Sequence, residues 1–182
     1  MKIVLPVVAV MIAAVAGYAL YPYGTAYLLR EALATKDHAE LDRLIDFASV
    51  RDGLKRDLPA LVRSELIRDT DGWFAQLGAV IALELSPELL ARQIDSRITP
   101  ARAVDLVIGP GAKSGAARSP EAIRAELDRQ LRTLGFIGPM QFAIEFGEPS
   151  DPPDRWITLH LTIDGLTWRV TRLIPPGASR ER

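Results

Sequence analysis

The chain has 182 residues, 48% of them hydrophobic and 25% charged, with a net charge of -1. That length suits a single domain with one real core, and the absence of a basic excess excludes a nucleic-acid partner held by its phosphates. There is no cysteine, which excludes disulfides, thiolate metal sites, a cysteine nucleophile and a lipid-modified cysteine anchor.

Residues 3–20, IVLPVVAVMIAAVAGYAL, carry no charge and reach the minimum length of a spanning helix. Two readings lead, ahead of a third in which the run is a buried helix of a soluble domain. A transmembrane anchor keeps the run, with Tyr18, Tyr21 and Tyr23 as an aromatic belt at the outer interface. A cleaved signal peptide is cut at a small-x-small site such as Ala14-Val15-Ala16 or Gly17-Tyr18-Ala19. The expected location is a bacterial inner membrane with the domain in the periplasm, or the periplasm itself after cleavage. The expected division is 1–20 for the anchor or signal, 21–176 for one α+β domain and 177–182 for a tail.

Tyr21–Leu54 reads as two short helices and the start of a third, at the point where the chain leaves the membrane. Ala26, Leu29 and Leu33 share one face, and the first helix stops near Thr35-Lys36. Asp37 with Glu40 forms a capping box for the second helix, whose apolar face is Leu41, Leu44 and Ile45. Ser49 with Asp52 starts the third helix, carried by Val50, Leu54 and Leu58. Pro59 breaks or kinks that helix, and Pro59–Arg68 restarts at once.

Within this stretch, Tyr21-Pro22-Tyr23, Lys36-Asp37, Leu41, Ile45-Asp46-Phe47, Val50-Arg51 and Leu54-Lys55 resemble the opening of a bacterial family, Domain of Unknown Function 2939. Further resemblances are the leading hydrophobic segment, the Thr99-Pro100 helix start and a closing strand from Trp168 to Pro175. The resemblance implies a membrane-anchored or secreted protein matched over nearly the whole chain. It brings no known activity and no catalytic residues.

Asp69-Thr70-Asp71-Gly72 is a capped turn that lacks the further oxygen ligands of a calcium loop. Trp73–Leu85 is the most apolar internal stretch, too short to span a bilayer and without Lys or Arg; it reads as a buried helix, or alternatively as a peripheral membrane contact. Ser86-Pro87, Thr99-Pro100 and Ser119-Pro120 each place a hydroxyl at the cap and proline at the first helical position. They predict helices over Pro87–Ile94, Pro100–Ile108 and Pro120–Leu134. The last carries Ile123, Leu127, Leu131 and Leu134 on one face and ends at Gly135. The intervening GPGAKSGAAR, Gly109–Arg118, fails as a P-loop: Ala112 precedes Lys113-Ser114, and the helix begins only at Ser119-Pro120. It reads as a loop, not a nucleotide site.

The last third changes period from 3.6 to 2. Met140, Phe142, Ile144 and Phe146 alternate along one strand, and Gly147–Asp154 is a loop. Trp156–Ile163 and Leu166–Leu173 then form a hairpin around Asp164-Gly165. A two-residue loop there pairs Ile163 with Leu166, Leu161 with Trp168 and Leu159 with Val170 on an apolar face. It pairs Thr162 with Thr167, His160 with Arg169 and Thr158 with Thr171 on a polar face.

The fold expected is α+β, with N-terminal helices packed on a small C-terminal antiparallel sheet of three strands. This element order resembles the nuclear-transport-factor-2-like cone fold, a likeness that carries no function. No serine-hydrolase elbow or zinc-protease motif occurs, and no metal or cofactor is implied. The leading functional expectation is a non-enzymatic, membrane-tethered envelope module that binds a protein partner or a small apolar ligand in the helix–sheet crevice. The alternative is a small hydrolase or isomerase using a pocket of His160, Arg169, Thr158 and Thr171 on the sheet's polar face.

Overall fold

A computed structural model of the chain describes residues 4–63, 87–108 and 119–176. The predicted turn Asp69–Gly72, the apolar stretch Trp73–Leu85, the Ser86 cap, the Gly109–Arg118 loop and the tail lie outside those residues.

Helix α1 spans Val4–Thr35 without a break and contains Pro22. The expected short helix after Tyr21 is therefore the second half of one long helix that includes the apolar segment. Beyond residue 20 the helix buries Pro22, Thr25, Leu29 and Leu33 in a stripe at i, i+3, i+7 and i+11. From residue 7 to residue 18 it exposes its apolar side chains. The helix ends where the sequence predicts. Lys36 takes a left-handed φ of 56°, its amide donates to the Leu33 carbonyl at 3.3 Å, and the Asp37 amide donates to Ala32 at 2.9 Å. This is a Schellman ending.

Helix α2 covers His38–Leu44, and Asp37 caps it by accepting from the amides of Ala39 and Glu40 at 3.1 Å. The expected capping box is only half formed. The Asp37 amide is already taken by Ala32, so the Glu40 carboxylate pairs with Arg43 at 2.9 Å instead. Helix α3 covers Phe47–Arg63 and continues through Pro59 without the break that was one of the two outcomes expected there. Its cap is Asp46 and not Ser49: the Asp46 carboxylate accepts from the Ser49 amide at 3.0 Å and the Ser49 hydroxyl at 2.7 Å. The Asp46 amide in turn donates to the Val170 carbonyl at 2.9 Å.

Helix α4 covers Pro87–Arg97, three residues longer than predicted. After Thr99 a 3-10 turn, Pro100–Arg102, leads into α5, Ala103–Ile108. Helix α6 covers Pro120–Gln130, and the Ser119 hydroxyl accepts from the Ala122 amide at 3.3 Å.

The sheet is a four-stranded antiparallel meander in the order β1-β2-β3-β4. Its strands are β1 (Leu131–Gly138), β2 (Gln141–Phe146), β3 (Ile157–Asp164) and β4 (Thr167–Ile174). The architecture is α+β, helices first, as expected. Strand β1 corrects the predicted helix end at Leu134. Leu131 and Leu134 are three apart, a helical spacing, and a regular strand would send them to opposite faces. A register shift at Arg132 resolves this: Leu131 opposes Phe146, Thr133 opposes Glu145 and Leu134 opposes Ile144. Both leucines thereby face the core, where they are half-buried. Met140, expected in strand β2, sits in the turn and is exposed.

The β3–β4 register also differs from the expectation, by two residues near the turn and by three past a bulge. Ile163 pairs with Trp168 and Leu161 with Val170; beyond an extra residue at Thr171, His160 pairs with Arg172 and Thr158 with Ile174. The turn explains the slip. Asp-Gly as the two central residues would require positive φ at both. Here Gly165, at φ 63°, is the first central residue and Leu166 the second, a type II′ arrangement that needs positive φ only once. Up to Leu161 the slip is even, so Trp168 and Val170 stay on the apolar face; past the bulge it is three, which puts Leu173 opposite Leu159 on that face in place of the exposed Leu166.

Gly147, at the end of β2, is tightly confined: a Cβ there would lie 2.2 Å from Cδ1 of Trp156. The Trp156 ring is held by its indole N–H, which donates to the Asp151 carbonyl at 3.0 Å. Gly147→Ala should cost about 1–3 kcal/mol through overpacking. Urea unfolding of the single variant and of Gly147→Ala combined with Trp156→Ala checks this. Removing the ring should cancel most of the added penalty of the methyl group.

Candidate functional site

Where α1 crosses the sheet it leaves a cavity of about 200 Å³. Tyr23, Ala26, Arg30 and Leu33 of α1 line it at helical spacing; Leu127 and Asp128 of α6 close one side, and Leu131, Leu134, Ile144 and Phe146 of β1 and β2 form the floor. The floor exists because the register shift at Arg132 turns both β1 leucines inward. Tyr27 also lines the cavity and is 61% exposed, so the space reaches the surface beside it.

The polar part of the wall is an ion-paired clasp between α1 and α6. Arg30 donates to both Asp128 carboxylate oxygens, through Nε at 2.6 Å and Nη2 at 2.5 Å, in a fork. Glu31 accepts from Arg124 at 2.9 Å and from Arg30 at 2.8 Å, and Arg124 also meets Glu121 at 3.4 Å. Glu121, Arg124 and Asp128 fall at i, i+3 and i+7, one stripe of α6 beside its buried Ile123 and Leu127. The clasp fixes the two helices that frame the cavity and leaves its interior almost wholly apolar.

The Arg30 hydrogen bond holds the Asp128 carboxyl below its ordinary value of 3.8, against a smaller opposing effect of burial. The Arg124 hydrogen bond likewise holds Glu31 below its ordinary 4.5. A depressed carboxyl contributes stability above its unfolded pKa and loses it as pH falls through the folded value. The clasp should therefore be at full strength at neutral pH and weaken below about pH 4. A melting-temperature series from pH 7 to pH 2 should show an acid-side decline, and Asp128→Asn should make that decline shallower.

The predicted polar-face residues are placed differently from one another. His160 stands opposite Arg172, not Arg169. Burial first, and Arg172 second, push its imidazole below the ordinary 6.5, with Glu145 acting in the opposite direction. Arg169 stands opposite Thr162, and its guanidinium reaches the carbonyls of Asp42 at 3.2 Å and Ile45 at 3.4 Å, in the α2–α3 link. The Thr171 hydroxyl lies 3.1 Å from that of Thr162. Thr158 is buried with its hydroxyl unpartnered among the described residues. Arg172 itself pairs with Asp57 of α3 at 2.9 Å.

The predicted interface tyrosines lie along α1. Tyr18 stacks on Phe136 at 6.0 Å and its hydroxyl donates to the Pro139 carbonyl. Tyr23 meets Phe142 edge-on at 4.9 Å. Tyr21 is exposed.

A family model described as Protein of unknown function (DUF2939) matches residues 11–106. The chain belongs to that family. The DUF2939 match begins inside the apolar half of α1 and ends within α5, taking in Tyr21–Leu54 and Thr99-Pro100. It covers about half the chain, not nearly all of it, and stops short of the sheet, so the closing-strand features from Trp168 to Pro175 fall outside it. No curated protein and no solved structure matches the chain. The DUF2939 region supplies α1, the cavity's roof; α6 and the sheet supply the rest.

The clasp and the cavity were not visible in the sequence as a site. The α6 charge stripe is readable at positions 121, 124 and 128. Its partners Arg30 and Glu31 lie some ninety positions away, and nothing local connects them.

Proposed function

We propose that this DUF2939 protein is a non-enzymatic domain tethered to a bacterial inner membrane by the first half of α1, with its folded part in the periplasm. In this reading it holds a small apolar ligand in the cavity between α1, α6 and the sheet. The observation that carries the reading is that cavity: about 200 Å³, lined mostly by leucine, isoleucine and aromatic side chains, with the Arg30–Asp128 clasp as the polar part of its wall. An apolar cavity of roughly 150 Å³ suffices to take up benzene. A ligand of that size or slightly larger, such as a short acyl chain, fits this one.

The tether is supported by the helix spanning residues 7–35, which is long and apolar enough to cross a membrane, with a mean hydropathy of 1.6. Val10, Met11, Ile12 and Val15 are each more than 60% exposed, a surface that water disfavours and hydrocarbon accepts. Retention of the segment is further supported by Tyr18, whose contacts with Phe136 and Pro139 a cut after Ala19 would remove. Tyr21 and Tyr23 follow as interfacial residues. The enzymatic alternative lacks its expected pair, because Arg169 faces the α2–α3 link and not His160.

The ligand reading is tested with n-octanol titrated into methyl-labelled full-length protein in lipid nanodiscs. Saturable shifts at Leu127, Leu131 and Ile144, with Ile94 and Ile98 unmoved, are expected, and Ala26→Trp should abolish them by filling the space. Shifts that survive Ala26→Trp, or that spread evenly over all methyl groups, would refute cavity binding. The tether is tested by fractionation and intact mass: a mass beginning at Met1 in the membrane fraction is expected, and a soluble protein beginning near Gly17 or Leu20 overturns it.

A further inference from the structure

Outside α1, five large apolar side chains among the described residues are exposed: Leu89, Phe136, Ile137, Met140 and Leu166. Three of the five, Ile137, Met140 and Leu166, lie in or within two residues of two turns, Pro139-Met140 between β1 and β2 and Gly165-Leu166 between β3 and β4. In an antiparallel meander alternate turns fall at the same end of the sheet, so these two tips are neighbours. Leu166 is 87% exposed and Met140 59%.

The direction of α1 identifies what that end faces. Tyr18 touches Phe136, Trp168 and the Pro139 carbonyl, at the tip end of the sheet. Farther along α1, Tyr23 meets Phe142, and Leu33 shares the cavity with Leu131 and Phe146 at the opposite end. The helix therefore crosses the sheet from tips to base, and its apolar residues 7–17 project beyond the tips. Tyr18 lies two residues before Leu20, about 3 Å along the axis, inside the end of the apolar run. The tips stand at the level where a spanning α1 would enter the headgroups.

Charge follows the same polarity. The Pro139-Met140 turn and the residues beside it, Gly138 and Gln141, carry no charge. The only ionisable group at the second tip is Asp164, which is paired with Arg169 at 3.5 Å. The opposite end is the loop GEPSDPPDR, residues 147–155, with three carboxylates and one arginine.

We propose that the two hairpin tips are a second membrane contact: Ile137, Met140 and Leu166 insert into the headgroup region beside α1. Apolar side chains on a polar scaffold favour that layer. The contact fixes the sheet upright on the bilayer and holds the mouth of the cavity at a set height above it. This inference rests on the tether reading and adds an orientation to it.

The absence of cysteine makes the test direct. Single variants Ile12→Cys, Met140→Cys, Leu166→Cys and Ser150→Cys of the full chain are labelled with an environment-sensitive fluorophore and reconstituted into phosphatidylcholine vesicles. Some vesicles contain lipids with a doxyl quencher just below the headgroups, others a quencher deep in the acyl chains. The labels at 140 and 166 should lose fluorescence to the shallow quencher, the label at 12 to the deep one, and the label at 150 to neither. Quenching at 12 with bright labels at 140 and 166 overturns the second contact and leaves the tether standing. No quenching at 12 removes the tether and this inference together. Quenching at 150 equal to that at 140 and 166 overturns the upright orientation.

Discussion

Trp168→Ala should destabilise the domain by about 3–5 kcal/mol, the range for removing a large aromatic ring from a core. Trp168→Phe should cost much less. Trp168 is fully buried on the apolar face of β4, opposite Ile163. Its ring lies 5.9 Å from that of Phe136 and 6.0 Å from that of Tyr18, so it joins the sheet to the first half of α1. Alanine empties this junction. Phenylalanine keeps an aromatic ring there and removes a liability: the Trp168 indole N–H is buried without a hydrogen-bond partner among the described residues. An unmet buried donor costs about 1–3 kcal/mol, and its removal should offset much of the lost ring volume. At roughly 2–4 °C per kcal/mol for a chain of this size, the alanine variant should melt roughly 6–20 °C lower. Circular dichroism of the full chain in nanodiscs reads the difference. Equal shifts for Phe and Ala would mean that the indole N–H is satisfied and that ring volume alone decides.

The elements most legible in the sequence are those whose signals are local. Asp37 and Ser119 cap the helices they were expected to cap, because a side-chain oxygen and an amide three residues on need nothing else. The apolar alternation of β3, and of β4 as far as Val170, was readable for the same reason; the bulge at Thr171 that brings Leu173 opposite Leu159 was not. The misread features are those where a second segment decides. The Asp37 amide could have met Glu40, but the α1 ending claims it first. Leu131 and Leu134 fit the helical period of Ile123 and Leu127, and only pairing with Phe146 and Ile144 makes them a strand. Asp46 outranks Ser49 as a cap because its amide is tied to Val170, more than a hundred residues away. The cavity belongs to this class entirely. Tyr23, Ala26 and Arg30 mark one helix face, but the space beneath them depends on a register shift in β1 and on a clasp to α6.

Leu33→Ala should have two separable consequences. Leu33 is 1% exposed and lines both the ligand cavity and a smaller apolar void of about 20 Å³ beneath α1, beside Ile45, Val50 and Leu173. Its side chain is part of the partition between them. Truncation should lower stability by about 2–5 kcal/mol, the lost transfer energy plus the cavity left behind. It should also join the two spaces. Leu54→Ala supplies the comparison: Leu54 is fully buried in α3 and lines neither space. Both variants should melt lower by similar amounts in the absence of ligand. Only Leu33→Ala should recover stability with a longer chain, because a ligand that binds the folded state alone stabilises by RT ln(1 + [L]/Kd), about 2.7 kcal/mol at a hundredfold excess over Kd. Melting curves with n-octanol and n-decanol distinguish the cases. The unaltered protein should respond more to octanol, Leu33→Ala should gain most from decanol, and Leu54→Ala should follow the unaltered protein. A Leu33→Ala response that does not change with chain length would mean that Leu33 does not partition the cavity. A decanol gain in Leu54→Ala would mean that the added stability comes from the surrounding lipid and not from the space under α1.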